Sequence, residues 1–268
     1  MHRRRAARSS PAYEPPPQVP YNSIMDVKTA QKLNALNQEF YAKNAASFSA
    51  TRSHPWEGWE RLRPAIEGAS KILDVACGNM RFERFASTLR SDENVEYNCV
   101  DSCAELPPSL PGIHFQKLDI VELCINGGDI AQALRSPACD LVVSFGFLHH
   151  VPGFEARCRL VEALLEKTVQ GGRVALSFWR FMEDDRLARK ALATTTRARH
   201  ELDLDLDEND FILGWQDEGS AYRYCHYYTD DEIRYLLFII TDICHLELHY
   251  NSDGRNNALN TYVVLRRK

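Results

Sequence analysis

The chain lacks the glycine-rich signatures that cradle phosphates. Its 268 residues contain neither G-x-G-x-x-G nor G-x-x-x-x-G-K-[ST], so no dinucleotide fingerprint and no P-loop is present. Its eight cysteines never form C-x-x-C. Several lie in apolar segments, which points to buried free thiols in a reducing cytoplasm rather than to disulfides or a zinc centre. No apolar run approaches the ~20 residues that span a membrane. The arginines near the N-terminus are followed by no apolar stretch, so they do not read as a signal peptide. Positive charge is not in excess either. Lys and Arg number 32 against 37 Asp and Glu, a net charge of −5. That gives no global attraction to nucleic acid, although a local basic face stays open. There is no internal repeat. What remains is the composition of a globular protein, 44% hydrophobic and 26% charged, long enough for one large domain.

Residues 1–25 are Arg-rich and then Pro-rich, and are expected as a disordered tail. A short transit peptide and a start at Met25 are the alternatives. Residues 26–268 are expected as the folded domain. Apolar residues recur at helical spacing over Asp26–Ala50, and Trp56–Ile66 reads as a second short helix. Pro64 is expected to end the regular part of that helix. Together, residues 26–66 would cap the domain.

The informative stretch is KILDVACGNMRFERF, Lys71 to Phe85, followed by VEYNCVD, which ends at Asp101. A short apolar strand runs into a turn containing Gly78, then an amphipathic helix, then a strand ending on an acid. This is the layout of a nucleotide-binding βαβ unit, with the acid about 20 residues after the turn. Strand patterns recur at IHFQKLD (ending at Asp119), at Leu141–Phe145 and at Arg173–Trp179. Helical patterns lie between them, at Ile120–Leu134 with a break at Gly127-Gly128, and at Phe154–Thr168 with a C-cap at Gly171-Gly172. Glu183–Arg199 and Asp230–Ile240 read as helices, and Cys244–Tyr250 with Asn260–Arg266 as a terminal antiparallel pair. The expected fold is therefore α/β: a doubly wound, mostly parallel seven-stranded sheet, helices on both faces, an antiparallel last strand and an N-terminal helical lid. Residues 200–228, acidic and then aromatic, interrupt the rhythm and are expected as a lid insert. Ligands bind at the carboxyl ends of such strands. Gly78, Asp101, Asp119 and the segment from Phe145 to His150 all fall on that edge.

The string LDVACGNMRF resembles the first motif of Rossmann-fold S-adenosylmethionine methyltransferases, with Ala76 and Met80 in place of two expected glycines. Their cofactor has a ribose and an adenine but no phosphate, so a phosphate cradle is unnecessary. The resemblance implies that Asp101, with Ser102 beside it, holds the ribose hydroxyls and that Ala76 and Gly78 pass under the methionine moiety. Asp74 would organise the turn or the cofactor's amino group, a purely structural role being the alternative. Asp119, with Ile120, would accept from the adenine amino group, the alternative being an N-cap for the next helix. SFGFLHHVP, Ser144 to Pro152, resembles the fourth motif. There Phe145 and Phe147 would line the sulfonium pocket, where aromatic faces favour a cation. His149 and His150 are either bases or packing groups. No second ligand pair supports a metal.

FYAKNAASFSATRSHPW, Phe40 to Trp56, resembles the F-x-x-T-R-x-x-x-W segment of tRNA wobble-uridine carboxymethyl methyltransferases. AYRYCHYYTDDEI, Ala221 to Ile233, resembles their R-Y-Y-H-x-Y-x-x-x-E-L segment. This implies an acceptor site with Tyr41, Arg52, Trp56, Tyr222, Arg223, Tyr224 and His226. A carboxylate acceptor is ionised at neutral pH and needs no base, and Arg52 and Arg223 could clamp it bidentately. An amine or hydroxyl acceptor would need His149, His150 or His226 as base, titrating near roughly pH 6–7. Structural ion pairs are the alternative role for both arginines. The acceptor is expected to be a tRNA anticodon loop or a small molecule. An inactive cofactor-binding subunit of a methyltransferase complex is the reading of another class. Eukaryotic members of that group work with a small zinc-binding activator protein, which this sequence neither marks nor excludes.

Overall fold

The computed structural model describes residues 25–90, 95–106, 112–215 and 218–268. The expected disordered tail lies outside the described residues except for Met25. That residue is half-buried and packs on the core, so it belongs to the folded part.

Short apolar runs between turns make the sheet. Strands β1 (Lys71–Val75), β2 (Glu96–Asp101), β3 (Ile113–Lys117), β4 (Cys139–Ser144) and β5 (Thr168–Trp179) are mutually parallel. An antiparallel hairpin, β6 (Asp210–Trp215) and β7 (Glu218–His226), stands apart as a two-stranded sheet. Strands β8 (Cys244–Ser252) and β9 (Asn260–Arg267) return to the main sheet, whose order is β3-β2-β1-β4-β5-β9-β8. Only β9 runs against its neighbours.

Side chains alternate across the central strands, and each face buries its own set. Leu73, Val142, Val174, Leu176, Val263 and Leu265 pack on one face. Against them lie α4 (Ile120–Asn126), α5 (Ile130–Ala133), α6 (Phe154–Glu166) and α8 (Asp230–Ile239). Ile72, Leu141, Val143, Ala175 and Val264 pack on the other. There they meet α2 (Arg63–Glu67), α3 (Arg81–Thr88) and Trp59. Each fully buried aliphatic side chain contributes roughly 1.5–3 kcal/mol. All eight cysteines are free thiols.

The long helix α1 (Val27–Ala50) starts where Asp26 caps it, its carboxylate accepting from the Lys28 N–H at 2.8 Å. Its Leu33 packs with Ile212, Tyr222 and Tyr224 of the hairpin and Ala198 of α7 (Asp185–Leu202). Helix α1 therefore fastens the hairpin over the strands' carboxyl edge. Among the described residues no helix is long and apolar enough to cross a membrane.

Two glycine and proline expectations are corrected. Pro64 does not end a helix. A 3-10 turn over Glu57–Leu62 comes first, and Pro64 opens α2, where its missing N–H costs nothing. Gly171-Gly172 does not cap α6, which ends at Glu166 with Lys167 as its cap. The pair lies inside β5. A Cβ on Gly172 would sit 2.9 Å from the Asp140 carbonyl oxygen, and the β4–β5 register shifts between Cys139 and Leu141. These glycines let the strand bend against its neighbour.

Candidate active site

A cavity of about 410 Å³ opens at the carboxyl ends of β1, β2 and β4, within the size range of small-molecule sites. Its floor is the turn after β1. The Ala76 and Cys77 N–H groups both donate to the Val100 carbonyl, at 2.8 and 3.1 Å, which folds the turn onto β2. Ala76, Gly78 and Met80 take φ of 69°, 54° and 55°, the left-handed region. For Ala76 and Met80 this costs roughly 1–2 kcal/mol each. Met80 offsets its share by burying its side chain with Cys77 and Cys99, away from the cavity. It does not reshape the cavity. A Cβ on Gly78 would meet no protein atom within 4 Å, so the space above that glycine is cavity.

Asp101 ends β2 and faces this floor. Its two carboxylate oxygens accept from the Gly78 and Cys103 N–H groups, both at 2.9 Å, which fixes the carboxylate plane. Burial pushes its pKa up. Ser102, Ile120, Phe145 and Phe147 line the same cavity. Asp119 does two jobs. One oxygen caps α4 through the Glu122 N–H at 3.0 Å. The other takes the side-chain amides of Asn34, at 2.9 Å, and Gln38, tying α1 to the edge of the sheet.

Asp74 takes the place that the structural alternative gave it. It is buried and does not line the cavity. Burial first, and then the neighbouring Glu83, raises its pKa well above the usual carboxylate range. Glu83 is raised as well. Burial of the two carboxyls together under the turn disfavours the charge on each and pushes both upward. The structure gives Asp74 a place beneath the turn and no contact with the cavity.

The opposite wall is aromatic and cationic. Arg52, just beyond the end of α1, and Arg223, on β7, both line it. The Arg52 guanidinium lies 3.4 Å over the Phe48 ring and 5.4 Å from Trp215. The Arg223 guanidinium lies 5.5 Å from Trp215, 5.6 Å from Trp179 and 5.2 Å from Phe40. Neither forms an ion pair among the described residues, and Arg223 Nε is buried with no hydrogen-bond partner. Burial, and then Arg223, lowers the Arg52 pKa to about 10, leaving it cationic at neutral pH.

His149 and His150 line the cavity after β4. His150 Nδ1 lies 2.8 Å from the Tyr224 carbonyl oxygen, which can only accept. The proton is therefore on Nδ1, and Nε2 accepts from the Tyr41 hydroxyl at 2.8 Å. Burial, and then Arg223, lowers the His150 pKa to about 3. Burial, and then His150, lowers that of His149 well below its ordinary value. Both rings are neutral at neutral pH. The expected base titration near pH 6–7 is thereby moved to lower pH. His149, His150 and Cys225 offer atoms within 4.8 Å of one another, a geometry open to a metal ion. The chemistry opposes it, since both His150 nitrogens are engaged and burial holds the Cys225 thiol up at about 12, beside the Arg223 cation.

Tyr41 and Trp56 line the cavity, but Tyr222, Tyr224 and His226 do not. Their side chains alternate with Arg223 along β7 and so point to the other face of the hairpin. The Tyr222 hydroxyl donates to Glu201 at 2.7 Å and accepts from Arg197 at 2.9 Å. The Tyr224 hydroxyl donates to Asp210 at 2.7 Å. His226 is fully buried between Asp210, at 2.7 Å, and Glu232, at 2.8 Å, with Arg157 3.0 Å from Glu232. Burial and Arg157 oppose a proton there, but Glu232 and Asp210 outweigh them and raise the His226 pKa. This network locks the hairpin to α6 and α8, and the three side chains leave the acceptor wall.

Cavity residues with no place in the expected site include Asn34, Gln38, Phe48, Arg81 and Trp179. Phe48 had a signal, one helical turn before Arg52. Arg81 had another, a cation opening the helix after the glycine turn.

No protein-family model matches the chain. It is similar to the mouse (Mus musculus) tRNA (carboxymethyluridine(34)-5-O)-methyltransferase ALKBH8, 26% identical over 144 residues. The match covers 53% of this chain and 19% of that protein, so the chain spans about a fifth of the relative's length. Among solved structures it resembles a SAM-dependent methyltransferase from Methanosarcina mazei, TM-score 0.53 at 16% identity, covering 77% of this chain and 96% of that one. It also resembles the Burkholderia thailandensis 1,6-didemethyltoxoflavin-N1-methyltransferase, TM-score 0.52 at 14% identity, covering 94% of each chain. The fold is that of the class I S-adenosylmethionine-dependent methyltransferases. In this methyltransferase fold the turn after β1, Asp101 and the end of β4 surround one cavity, and α1 with the β6–β7 hairpin closes it from above.

Proposed function

We propose that this protein is an S-adenosylmethionine-dependent methyltransferase whose acceptor presents a carboxylate, the group carried by a carboxymethyl-modified wobble uridine of tRNA. The observation that carries this reading is the pair Arg52 and Arg223, gathered on one cavity wall with no carboxylate of the protein to neutralise them. Unpaired cations held away from water are costly unless a ligand anion completes them.

The donor half fits the residues present. The open space above Gly78 admits a ligand against the backbone. Asp101, held by two N–H groups, presents its remaining lone pairs to ribose hydroxyls. Asp119 and Ile120 would meet the adenine, and Phe145 and Phe147 the sulfonium. Bound S-adenosylmethionine supplies an electrophilic methyl group, and the transfer is an in-line displacement governed by positioning. Arg52 and Arg223 orient the acceptor carboxylate with their planar forks. The aromatic rings around them exclude water. No proton need be removed from a carboxylate, which agrees with two neutral histidines in the wall.

A small-molecule amine or hydroxyl acceptor is the second reading. It is favoured by His149, which lines the cavity and whose Nδ1 is buried without a hydrogen-bond partner. The test is methyl transfer from labelled donor to separate tRNA and small-metabolite fractions, with variants. Arg52→Lys and Arg223→Lys keep charge but lose the fork, and should raise the acceptor KM roughly 10- to 100-fold at unchanged S-adenosylhomocysteine affinity. His149→Asn should change the rate modestly. Loss of all activity in the histidine variant, with both lysine variants fully active, refutes the carboxylate acceptor. Donor binding with no transfer to either fraction supports the inactive subunit instead.

A further inference from the structure

Arg81 lines the same cavity and has no part in the carboxylate clamp. It is the first residue of α3, and its guanidinium lies 4.7 Å from the Trp56 ring and 5.2 Å from Trp59. One nitrogen donates to the His54 carbonyl oxygen at 3.1 Å. It forms no ion pair among the described residues. Asp253 is the acid in its electrostatic surroundings, but that carboxylate is taken up by the Gly58 N–H at 3.0 Å, Asn260 at 2.8 Å and the Tyr262 hydroxyl at 2.6 Å. No side chain caps α3, so the positive end of the helix adds to the field. Arg52 lies within electrostatic reach of both Arg223 and Arg81.

The charges of the cavity wall can be counted. Three arginines, Arg52, Arg81 and Arg223, share the cavity lining with two acids, Asp101 and Asp119, neither of which pairs with them among the described residues, while both histidines are neutral. The donor, with a sulfonium, an ammonium and a carboxylate, brings one further net positive charge. A single acceptor carboxylate leaves a cation over. We propose that Arg81, beside the Trp56 ring, forms a phosphate subsite, so that the site takes a carboxylate-bearing nucleotide in preference to the free nucleoside. This rests on the carboxylate-acceptor reading for its first anion and adds the second. The competing occupant of Arg81 is the donor's own carboxylate, and the experiment separates the two.

Protein saturated with S-adenosylhomocysteine is titrated calorimetrically with 5-carboxymethyluridine, its 3′- and 5′-monophosphates, uridine and the uridine monophosphates. One monophosphate should bind about tenfold or more tighter than its nucleoside. In Arg81→Gln that preference should vanish while nucleoside and S-adenosylhomocysteine affinities stay within about twofold. Arg81→Lys should keep part of the preference, since it keeps charge without the planar fork. Should the glutamine variant fail to fold, the lysine variant and the salt dependence of the wild-type preference decide, because a phosphate contact weakens with ionic strength. Equal binding of nucleoside and both nucleotides by the wild-type protein overturns the proposal. So does a fall in S-adenosylhomocysteine affinity with the phosphate preference intact, which would assign Arg81 to the donor. A phosphate preference without a carboxymethyl preference would instead refute the carboxylate acceptor and leave the phosphate subsite standing.

Discussion

Replacing His150 by Asn should change how stability responds to acid, and the size of the change follows from its surroundings. His150 is 5% exposed, and burial, and then Arg223, holds its folded pKa at about 3 against an unfolded value near 6.5. Between those values the unfolded chain binds one proton more than the folded one. Stability is therefore complete above about pH 6.5 and falls as pH drops, by ~1.4 kcal/mol per pH unit, or ~2 kcal/mol at pH 5. His149 adds a slope of the same sign. Asp74, Glu83 and Asp101 act oppositely: their raised pKa values make the folded state the better proton binder, so their contribution fades as pH rises. The wild-type curve mixes these effects, and the difference between wild type and His150→Asn isolates one. An Asn amide can still donate to the Tyr224 carbonyl, as Nδ1 does, while the acceptor for Tyr41 is lost. That loss is a constant offset and carries no slope. Urea unfolding across pH 5 to 7.5 should give curves that run parallel above pH 7. They should converge below pH 6.5, the variant's being shallower by ~1.4 kcal/mol per unit. Curves parallel throughout would refute the claim that His150 is held neutral.

Two further outcomes follow from single contacts. Asp101→Ala should weaken S-adenosylhomocysteine binding by about 1–3 kcal/mol, read by calorimetry, because the ribose hydroxyls lose their acceptor; unchanged affinity would remove Asp101 from the donor site. Gly58→Ala places a Cβ 2.3 Å from the Tyr262 ring, which Asp253 and the stacked Tyr250 hold in place. The expected loss is about 1–3 kcal/mol, seen as a lowered Tm, and an unchanged Tm would show that the ring moves freely.

The sheet was legible because its signals are local. Ile72, Leu73 and Val75, and the run Leu141–Val143, are the short apolar segments from which buried parallel strands are read. The acid at the end of β2 was legible for the same reason: Gly78 and Asp101 meet because two adjacent parallel strands end there. Gly171-Gly172 misled because a glycine pair serves equally as a helix cap and as a strand bend, and only the crowding against Asp140 decides. Asp119 shows a different limit. Its capping of α4 was weighed from sequence, but its hold on Asn34 and Gln38 joins residues 85 and 81 positions apart. No pattern within one segment contains that.

The acceptor wall marks where local reading fails by a definite rule. Ala221 to Ile233 reads as a unit because a motif runs through it, yet a strand shows successive side chains to opposite faces. Once Arg223 faces the cavity, Tyr222, Tyr224 and His226 must face away. Their partners, Glu201, Asp210 and Glu232, are those of a buried clamp. The same alternation explains why the motif contains both kinds of residue. The face that lines the cavity carries a cation with no ion pair among the described residues. The face behind it carries polar groups paired with one another, and the hairpin they fix holds a guanidinium away from water. His226 and Arg223 are thus parts of one device, the first fixing the strand and the second using it. Charge at Arg223 can be kept by lysine, but its placement depends on the network three residues further along the chain.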